Sequence, residues 1–265
     1  MKTRLDQHFL IDKRAISRIA TILDLAGHDV LEIGPGTGIL TRALLEQGSR
    51  VTAIELDQGL VHELECTFSE EIAAGRCIIL AGDAARMKLP ASSYVVANLP
   101  YSASSKITFN LLQTEFTDAI LMYQKEFADR MMAPIGSRSC GRLSVMVQTY
   151  ARVSHCFDLS PGCFTPAPKV RSSVIWLQPR PPLFFIHDRD TYDELVRILF
   201  SERRKTLRSI FRHAQQTFGN QVINRVIDLL PEEILSARPE ELYLEDYATI
   251  ANLIHDVRTG VSTGG

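Results

Sequence analysis

Two short motifs carry the residue types in this sequence that are best suited to chemistry. The first, Glu32-Ile-Gly-Pro-Gly-Thr-Gly38, is a glycine-rich turn between a β-like apolar run and a helical stretch. Glycines let the backbone approach a ligand closely, and the N-terminus of the following helix faces the same turn. The second, Asn98-Leu-Pro-Tyr101, offers hydrogen-bond acceptors, a stiff turn and an aromatic ring within four residues. The two motifs predict a nucleoside ligand at the first turn and a flat heterocycle at the second.

The Asn98–Tyr101 motif fits an exocyclic nucleobase amine, which is a poor nucleophile because its lone pair is delocalised into the ring. We predict that the side-chain oxygen of Asn98 and the carbonyl of Leu99 accept the two N6 protons, which turns the lone pair toward a methyl donor. Pro100 would stiffen the turn, and Tyr101 would stack on the base. Such a site acts through orientation and charge placement, so it requires no metal ion.

The glycine-rich turn distinguishes between two kinds of cofactor. A dinucleotide site needs Gly-x-Gly-x-x-Gly, whereas this chain places glycines at 34, 36 and 38 and Ile39 where the third should be. The pattern instead matches the acidic-x-Gly-x-Gly-x-Gly loop of class I methyltransferases, which accommodates the methionine part of S-adenosylmethionine. Glu55, at the end of the next strand-like run, is placed to accept both ribose hydroxyls. Asp83 could accept from the adenine amino group, and Ala84 could donate from its backbone.

A proline-stiffened loop and a basic run are the candidate RNA contacts. In Phe164-Thr-Pro-Ala-Pro-Lys-Val-Arg171, Phe164 is positioned to cover the second face of an extruded base, while Lys169 and Arg171 meet phosphates. From Arg203 to Arg212, helical spacing predicts a basic stripe beside an apolar arc, with Arg203 outside that stripe. The candidate phosphate-binding residues of this run are Arg203, Arg204, Lys205, Arg208 and Arg212.

Alternating strand and helix patterns must position these motifs. A first helix begins after Asp12, its N-cap, and is predicted to end at Gly27. The following alternation predicts a parallel sheet covered on both faces. Its expected strands are Val30–Ile33, Val51–Glu55, Cys77–Ala81, Tyr94–Ala97 and Ala119–Tyr123, with helices near 38–47, 58–68, 104–112 and 125–132. Two later runs, Leu143–Val153 and Ser172–Leu177, alternate in polarity and predict an antiparallel pair at one sheet edge.

The pattern changes after Pro179, Pro181 and Pro182, because the remaining chain from 191 to 255 reads as helical. We therefore predict one domain over 1–183 and a second over 184–265. The net charge is −2, but residues 163–213 carry a local balance of +5, which is suited to a polyanion. The five cysteines show no metal-binding spacing and are expected to be reduced. No apolar run reaches 18 residues, so we expect a cytoplasmic protein without a membrane span.

Taken together, the ordered motifs resemble the small-subunit ribosomal RNA adenine N6-dimethyltransferase family, in its archaeal and eukaryotic branch. The resemblance runs from Gln7-His-Phe-Leu10 through the motifs above to Arg203-Arg-Lys-Thr-Leu-Arg208. The family usually has glycine before the Gln, whereas this chain has Asp6. The cofactor-binding residues that the resemblance and the motifs together imply are Gln7, His8, Leu10, Gly34, Gly36, Glu55, Leu56, Asp83, Ala84 and Asn98.

The resemblance implies an α/β fold of the class I S-adenosylmethionine-dependent methyltransferases. This is Rossmann-like, with a mostly parallel seven-stranded sheet containing one antiparallel strand, and a small helical C-terminal domain contributes to rRNA binding. The implied activity is dimethylation of two adjacent adenosines near the 3′ end of small-subunit rRNA, within a pre-ribosomal particle and by a monomer. Two alternatives stay open. One is a large-subunit rRNA adenine dimethyltransferase of the macrolide-resistance type, and the other is a non-catalytic assembly or transcription factor on the same fold.

Overall fold

The structure is a computed structural model that describes residues 7–260. Asp6 lies outside the described residues. The strands are β1 (Phe9–Leu10), β2 (Asp29–Ile33), β3 (Arg50–Glu55), β4 (Cys77–Ala81), β5 (Tyr94–Asn98), β6 (Asp118–Gln124), β7 (Ala151–Leu159), β8 (Phe164–Thr165) and β9 (Ser172–Pro179). The helices are α1 (Lys13–Ala20), α2 (Ile39–Glu46), α3 (Gln58–Thr67), α4 (Ser69–Ala73), α5 (Ser104–Leu111), α6 (Lys125–Met131), α7 (Arg142–Tyr150), α8 (Arg189–Ser201), α9 (Leu207–Phe218), α10 (Asn220–Leu229), α11 (Glu232–Ser236) and α12 (Leu244–Thr259).

Within residues 7–260, seven strands form one sheet in the order β4-β3-β2-β5-β6-β9-β7. The strands from β4 to β6 pair in parallel, and β9 pairs antiparallel with β6. The central strands β2, β5 and β6 are almost continuously buried and rich in Val, Ile and Leu, as expected for a sheet covered on both faces. The alternation therefore predicted the strands and their parallel pairing correctly.

Local signals set several helix boundaries. Asp12 caps α1, because its Oδ1 accepts from Ala15 N at 2.8 Å, and Asp57 caps α3 in the same way. The predicted end of the first helix at Gly27 is wrong, since α1 ends at Ala20. The Thr21 hydroxyl donates to the Ser17 carbonyl at 2.8 Å, which also accepts from Thr21 N at 3.1 Å, and so closes the last turn.

The prediction of a strand over Leu143–Val153 is also wrong. Residues Arg142–Tyr150 form α7, and β7 begins only at Ala151. Nearly every side chain of α7 is buried, so the helix has no polar face and its sequence lacks the 3.6-residue period. The expected pairing at the sheet edge is nevertheless present, because β9 and β7 are hydrogen-bonded neighbours and β7 is the edge strand.

The chain divides into two compact units whose bounds differ from the predicted domains. The first unit contains the residues up to Asp129 together with Arg152–Pro179, and the second contains Arg130–Ala151 and the residues from Arg180 onward. Residues 130–151, predicted to belong to the first domain, pack in the helical unit instead. There the Tyr150 hydroxyl donates to Asp193 Oδ1 at 2.7 Å, and Thr149 and Tyr192 share a hydrogen bond of 2.8 Å.

Candidate functional site

A cavity of about 190 Å³ lies in the first unit where β2, β3 and β5 end. Ligands of open α/β sheets bind at this carboxyl edge. The structure brings most of the predicted cofactor and target residues to this cavity. They are Gln7, His8, Gly34, Gly36, Glu55, Leu56, Asp83, Ala84, Asn98, Leu99, Pro100 and Tyr101. The sequence did not indicate the lining residues Ser102, Ala103 and Ile107.

The glycine-rich turn must be glycine for steric reasons at two positions. Gly36 has φ +58°, and a Cβ there would come within 2.8 Å of the Phe9 ring. Gly38 has φ +79°, and its Cβ would come within 2.6 Å of the Phe68 ring. Gly36 lets the N-terminal segment that carries Phe9 close over the turn, and Gly38 lets α3 pack against the turn. The cavity wall therefore depends on both.

Glu55 links the end of β3 to the glycine-rich turn. It is 5% exposed, and its Oε2 accepts from Gly36 N at 3.2 Å. Its Oε1 accepts from the backbone N–H groups of Leu56 and Asp57, at 2.9 and 3.0 Å. A carboxylate has about four acceptor positions, so this arrangement fixes its orientation and leaves room for a hydroxyl from the cavity.

The Asp83–Ala84 turn after β4 is held by a residue that no sequence motif indicated. Asn110, on α5, donates through Nδ2 to the carbonyls of Ala84 at 2.8 Å and Met87 at 2.9 Å. Asp83 Oδ1 accepts from Ala85 N at 2.9 Å, and the N–H of Ala84 has no hydrogen-bond partner in the described part of the chain. The free N–H of Ala84 and the carboxylate of Asp83 thus offer a donor beside an acceptor, which is the pattern that complements the edge of an adenine ring.

The Asn98–Tyr101 motif presents unpaired acceptors to the cavity. Asn98 Nδ2 donates to the His8 carbonyl at 3.1 Å, so its Oδ1 is the atom left available. The Pro100 carbonyl is occupied by Ala103 N at 3.0 Å and by the Ser104 hydroxyl at 3.1 Å. Within residues 7–260 no donor meets the Leu99 carbonyl. Asn98 Oδ1 and the Leu99 carbonyl are therefore the two free acceptors that the motif predicted.

Tyr101 is held at the cavity by two contacts. Its hydroxyl shares a hydrogen bond of 2.8 Å with Ser172 Oγ, at the start of β9, and its ring lies 5.3 Å from the His8 ring. Burial raises the pKa of Tyr101, so the ring stays a neutral phenol at physiological pH. Ser172 is a positioning residue that sequence reasoning missed.

The surroundings of Glu32 show whether the site can bind a cofactor that carries an amino-acid group. It is 1% exposed, and both of its carboxylate oxygens lack a hydrogen-bond partner among the described residues. It lines a cavity of about 30 Å³ that shares Gly34, Gly36 and Asn98 with the larger one. An orphaned buried carboxylate requires a donor. The α-ammonium group of S-adenosylmethionine is such a donor, so the residues fit this cofactor.

The buried carboxyl group of Glu32 should make the free energy of unfolding depend on pH. Burial raises the pKa of Glu32 to about 8 from its ordinary 4.5, against the opposing effect of the nearby Thr41 hydroxyl and with a smaller contribution from the charge of Glu55. The folded protein thus keeps this proton up to about pH 8, whereas the unfolded chain releases it above pH 4.5. The free energy of unfolding of the cofactor-free protein should fall by ~3 kcal/mol between pH 5 and pH 8, and E32Q should remove this fall.

Urea unfolding at pH 5, 6.5 and 8 measures this effect. The control is Glu63→Gln on the exposed face of α3. It should keep the wild-type pH dependence. Parallel curves for the wild type and E32Q would show that Glu32 does not titrate in this range.

Two predicted site residues do not reach the larger cavity. Phe164 is 3% exposed and packs in the hydrophobic core with Leu10 and Ile16. Its predicted stacking on an extruded base does not agree with this placement, because β8 pairs with β1 and turns the ring inward. Leu10 is likewise buried and lines only the small cavity.

The predicted RNA-binding residues differ in their surroundings. In the first unit, Lys169 and Arg171 are exposed, and Arg171 lies 3.9 Å from Asp158. In the second unit, the predicted continuous basic helix is wrong, because α8 ends at Ser201 and α9 begins at Leu207. Arg203, Arg204 and Lys205 lie in the turn between these helices, and Arg208 and Arg212 lie on α9.

The architecture and the site define the class of protein. A mostly parallel seven-stranded sheet with one antiparallel strand forms the first unit over the described residues. Its carboxyl edge carries a glycine-rich turn after β2, the acidic residue Glu55 at the end of β3 and free acceptors at the end of β5. This chain is therefore a class I S-adenosylmethionine-dependent methyltransferase.

Comparisons with known proteins narrow the assignment. Residues 1–252 match the family model described as "Ribosomal RNA adenine dimethylase". The chain is 58% identical over 252 residues to "Probable ribosomal RNA small subunit methyltransferase A" of Methanospirillum hungatei, covering 95% of this chain and 98% of that protein. The protein of the same name in Methanosarcina mazei is 41% identical, covering 96% and 93%. The chain thus belongs to the ribosomal RNA adenine dimethylase family, and it dimethylates adenine in ribosomal RNA with S-adenosylmethionine.

Solved structures agree with this placement. A dimethyladenosine transferase from Plasmodium falciparum superposes with a TM-score of 0.78 at 28% identity, covering 94% of this chain and 98% of that one. The 23S rRNA methyltransferase ErmE shares the fold, with a TM-score of 0.65 at 24% identity and coverage of 93% and 99%.

Over residues 7–260, no helix is long and apolar enough to cross a membrane, and no group of His, Cys, Asp or Glu is arranged to hold a metal ion.

Proposed function

We propose that this enzyme dimethylates the N6 amines of two adjacent adenosines near the 3′ end of small-subunit ribosomal RNA. The observation that carries the chemistry is the pair of free acceptors, Asn98 Oδ1 and the Leu99 carbonyl, beside Tyr101 at the cofactor cavity. The small-subunit assignment is supported by the names of relatives at 58% and 41% identity that span nearly the whole chain.

In the proposed mechanism, the protein orients a weak nucleophile. Asn98 Oδ1 and the Leu99 carbonyl accept the two N6 protons, which directs the nitrogen lone pair along the line of attack. Tyr101 stacks on the extruded adenine, and Ser172 holds the Tyr101 hydroxyl through a hydrogen bond. When bound, S-adenosylmethionine would supply the methyl group, and its positively charged sulfur would keep the electrons of the broken bond as a neutral thioether.

Residues around the cavity would bind this cofactor before transfer. We propose that Glu55 accepts from the ribose hydroxyls, Asp83 and the N–H of Ala84 read the adenine edge, and Glu32 meets the α-ammonium group. After transfer the nitrogen carries a positive charge and loses a proton readily to water, so no strong base is required. A second round on the same nitrogen gives the dimethyl product.

Transfer of labelled methyl groups tests the proposal. The enzyme is incubated with labelled S-adenosylmethionine and small subunits that lack the modification, and nucleosides are then analysed. We expect label in N6,N6-dimethyladenosine and two adjacent stops in primer extension near the 3′ end of the small-subunit RNA. Large subunits serve as the parallel substrate. Label confined to large-subunit RNA would instead assign the macrolide-resistance type, and absence of label from both would refute the activity.

The setting of the reaction is part of the proposal. We propose that the substrate is a pre-ribosomal small subunit in the cytoplasm. We further propose that the enzyme acts as a monomer.

A further inference from the structure

Arg203 is committed to contacts within the second unit. Its Nε donates to Glu240 Oε2 at 2.8 Å, and its Nη2 donates to the Arg138 carbonyl at 2.8 Å. The Glu240 side chain is only 13% exposed, so this pair is partly shielded from solvent. A guanidinium that joins a carboxylate and a backbone carbonyl in this way acts as a cross-link between two segments.

The contact with Arg203 fixes the segment that carries Arg138. This residue lies in the loop before α7, within the stretch whose expected place was the first domain. The side chain of Arg138 is exposed and has no hydrogen bond or ion pair to any described residue. Tertiary structure thus brings the backbone of Arg138, whose guanidinium has no partner among the described residues, beside the turn between α8 and α9.

The other cations of the basic run divide into paired and unpaired side chains. Lys205 pairs with Glu202 at 2.9 Å, and Arg208 pairs with Glu232. Arg204 and Arg212 are exposed, and within residues 7–260 neither has an ion-pair partner. Carboxylates within this unit therefore offset part of the basic charge that the sequence places in this run.

From this arrangement we infer that Arg138 and Arg204, the two unpaired arginines whose backbone lies at the turn between α8 and α9, bind backbone phosphates of the RNA substrate, and that Arg203 is a positioning residue that holds Arg138 in place. The inference deepens the proposed function and rests on it. Unpaired exposed guanidinium groups bind phosphate without first breaking an ion pair, whereas Arg203 would have to leave both Glu240 and the Arg138 carbonyl.

The salt dependence of RNA binding measures these contacts directly. For each phosphate that a cation neutralises, the slope of log Kobs against log salt changes by about 0.7 to 0.9. Binding is measured by fluorescence anisotropy between 50 and 200 mM salt, with a labelled fragment from the 3′ end of small-subunit RNA. We expect R138Q and R204Q each to reduce the slope by about this amount and the double variant by about twice as much.

Three further variants separate the roles. Arg225 is an exposed and unpaired arginine on α10, so R225Q is the matched control and should keep the wild-type slope. R203Q should reduce the slope only through Arg138, so R138Q/R203Q should match R138Q alone. Thermal melting of each variant confirms that it is folded.

Two outcomes would overturn the inference. One is a wild-type slope for R138Q and R204Q, and the other is additive losses from R138Q and R203Q, which would make Arg203 a phosphate ligand. Methyl transfer by the wild-type enzyme to small and large subunits is measured on the same preparations. Label on the wrong RNA alongside the expected slopes would refute the proposed function and leave the phosphate contacts supported.

Discussion

Replacing Asn98 with alanine is expected to lower kcat at saturating cofactor by about 10²- to 10³-fold. The substitution removes Oδ1, one of the two free acceptors at the cavity, and with it the hydrogen bond that orients the amine. Removing a single oriented group that stabilises charge at a reacting centre has an effect of about this size. Single-turnover methylation of small subunits measures the rate, and calorimetry measures cofactor affinity, which should change only a few-fold.

Asn110→Ala is the matched control for this prediction. It also removes an asparagine amide near the cavity, but this amide holds the Ala84 carbonyl at 2.8 Å rather than facing the target. We expect it to weaken cofactor binding about tenfold, with kcat at saturation within a few-fold of wild type. Equal kcat values for Asn98→Ala and the wild type would exclude the proposed role of Asn98.

Glu55→Ala should weaken S-adenosylmethionine binding by about 10²-fold or more. The change removes the proposed acceptor for the ribose hydroxyls, and charged hydrogen bonds contribute about 1.5–3 kcal/mol each. It also leaves the N–H groups of Gly36, Leu56 and Asp57 without their acceptor, which loosens the wall of the cavity. Calorimetric titration and the ligand-induced shift in Tm both measure the loss.

Two further variants distinguish the charge of Glu55 from its shape. Glu55→Gln keeps the shape but directs an amide N–H toward backbone donors, so its affinity should fall nearly as far as that of Glu55→Ala. Glu63→Ala, on the exposed face of α3, should bind the cofactor like the wild type. Wild-type affinity for Glu55→Gln would mean that shape alone, and not the carboxylate charge, supports the cofactor.

The parallel strands and the order of the motifs could be predicted because their signals are local. Runs such as Val51–Glu55 are apolar, β-branched and bounded by polar turns, so their type shows in a few residues. The α7 region could not be predicted, because a helix buried on all sides has neither a polar face nor a helical period. The same burial explains why residues 130–151 were assigned to the first domain, since no local feature separates them from the residues before them.

Asn110 and Ser172 illustrate the limit of motif reasoning at the site. Each holds a recognised motif through one side chain, yet each is distant from that motif in the chain. Phe164 shows the opposite error, since an aromatic on a proline-rich loop suggested exposure whereas the pairing of β8 with β1 buries it. Burial depends on what packs against a residue, and the residue type cannot specify this.

The sequence by itself determined the type of chemistry, because the cofactor turn, the acidic residues after the strands and the Asn98–Tyr101 acceptors each form within a few consecutive residues. Tertiary structure alone decided which groups remain free to act. The acceptors at Asn98 and Leu99 are unpaired, whereas Arg203 and Arg208 are engaged by carboxylates from distant segments. The physical reason is that hydrogen bonds and ion pairs form through space, so the partner of a side chain is set by the fold.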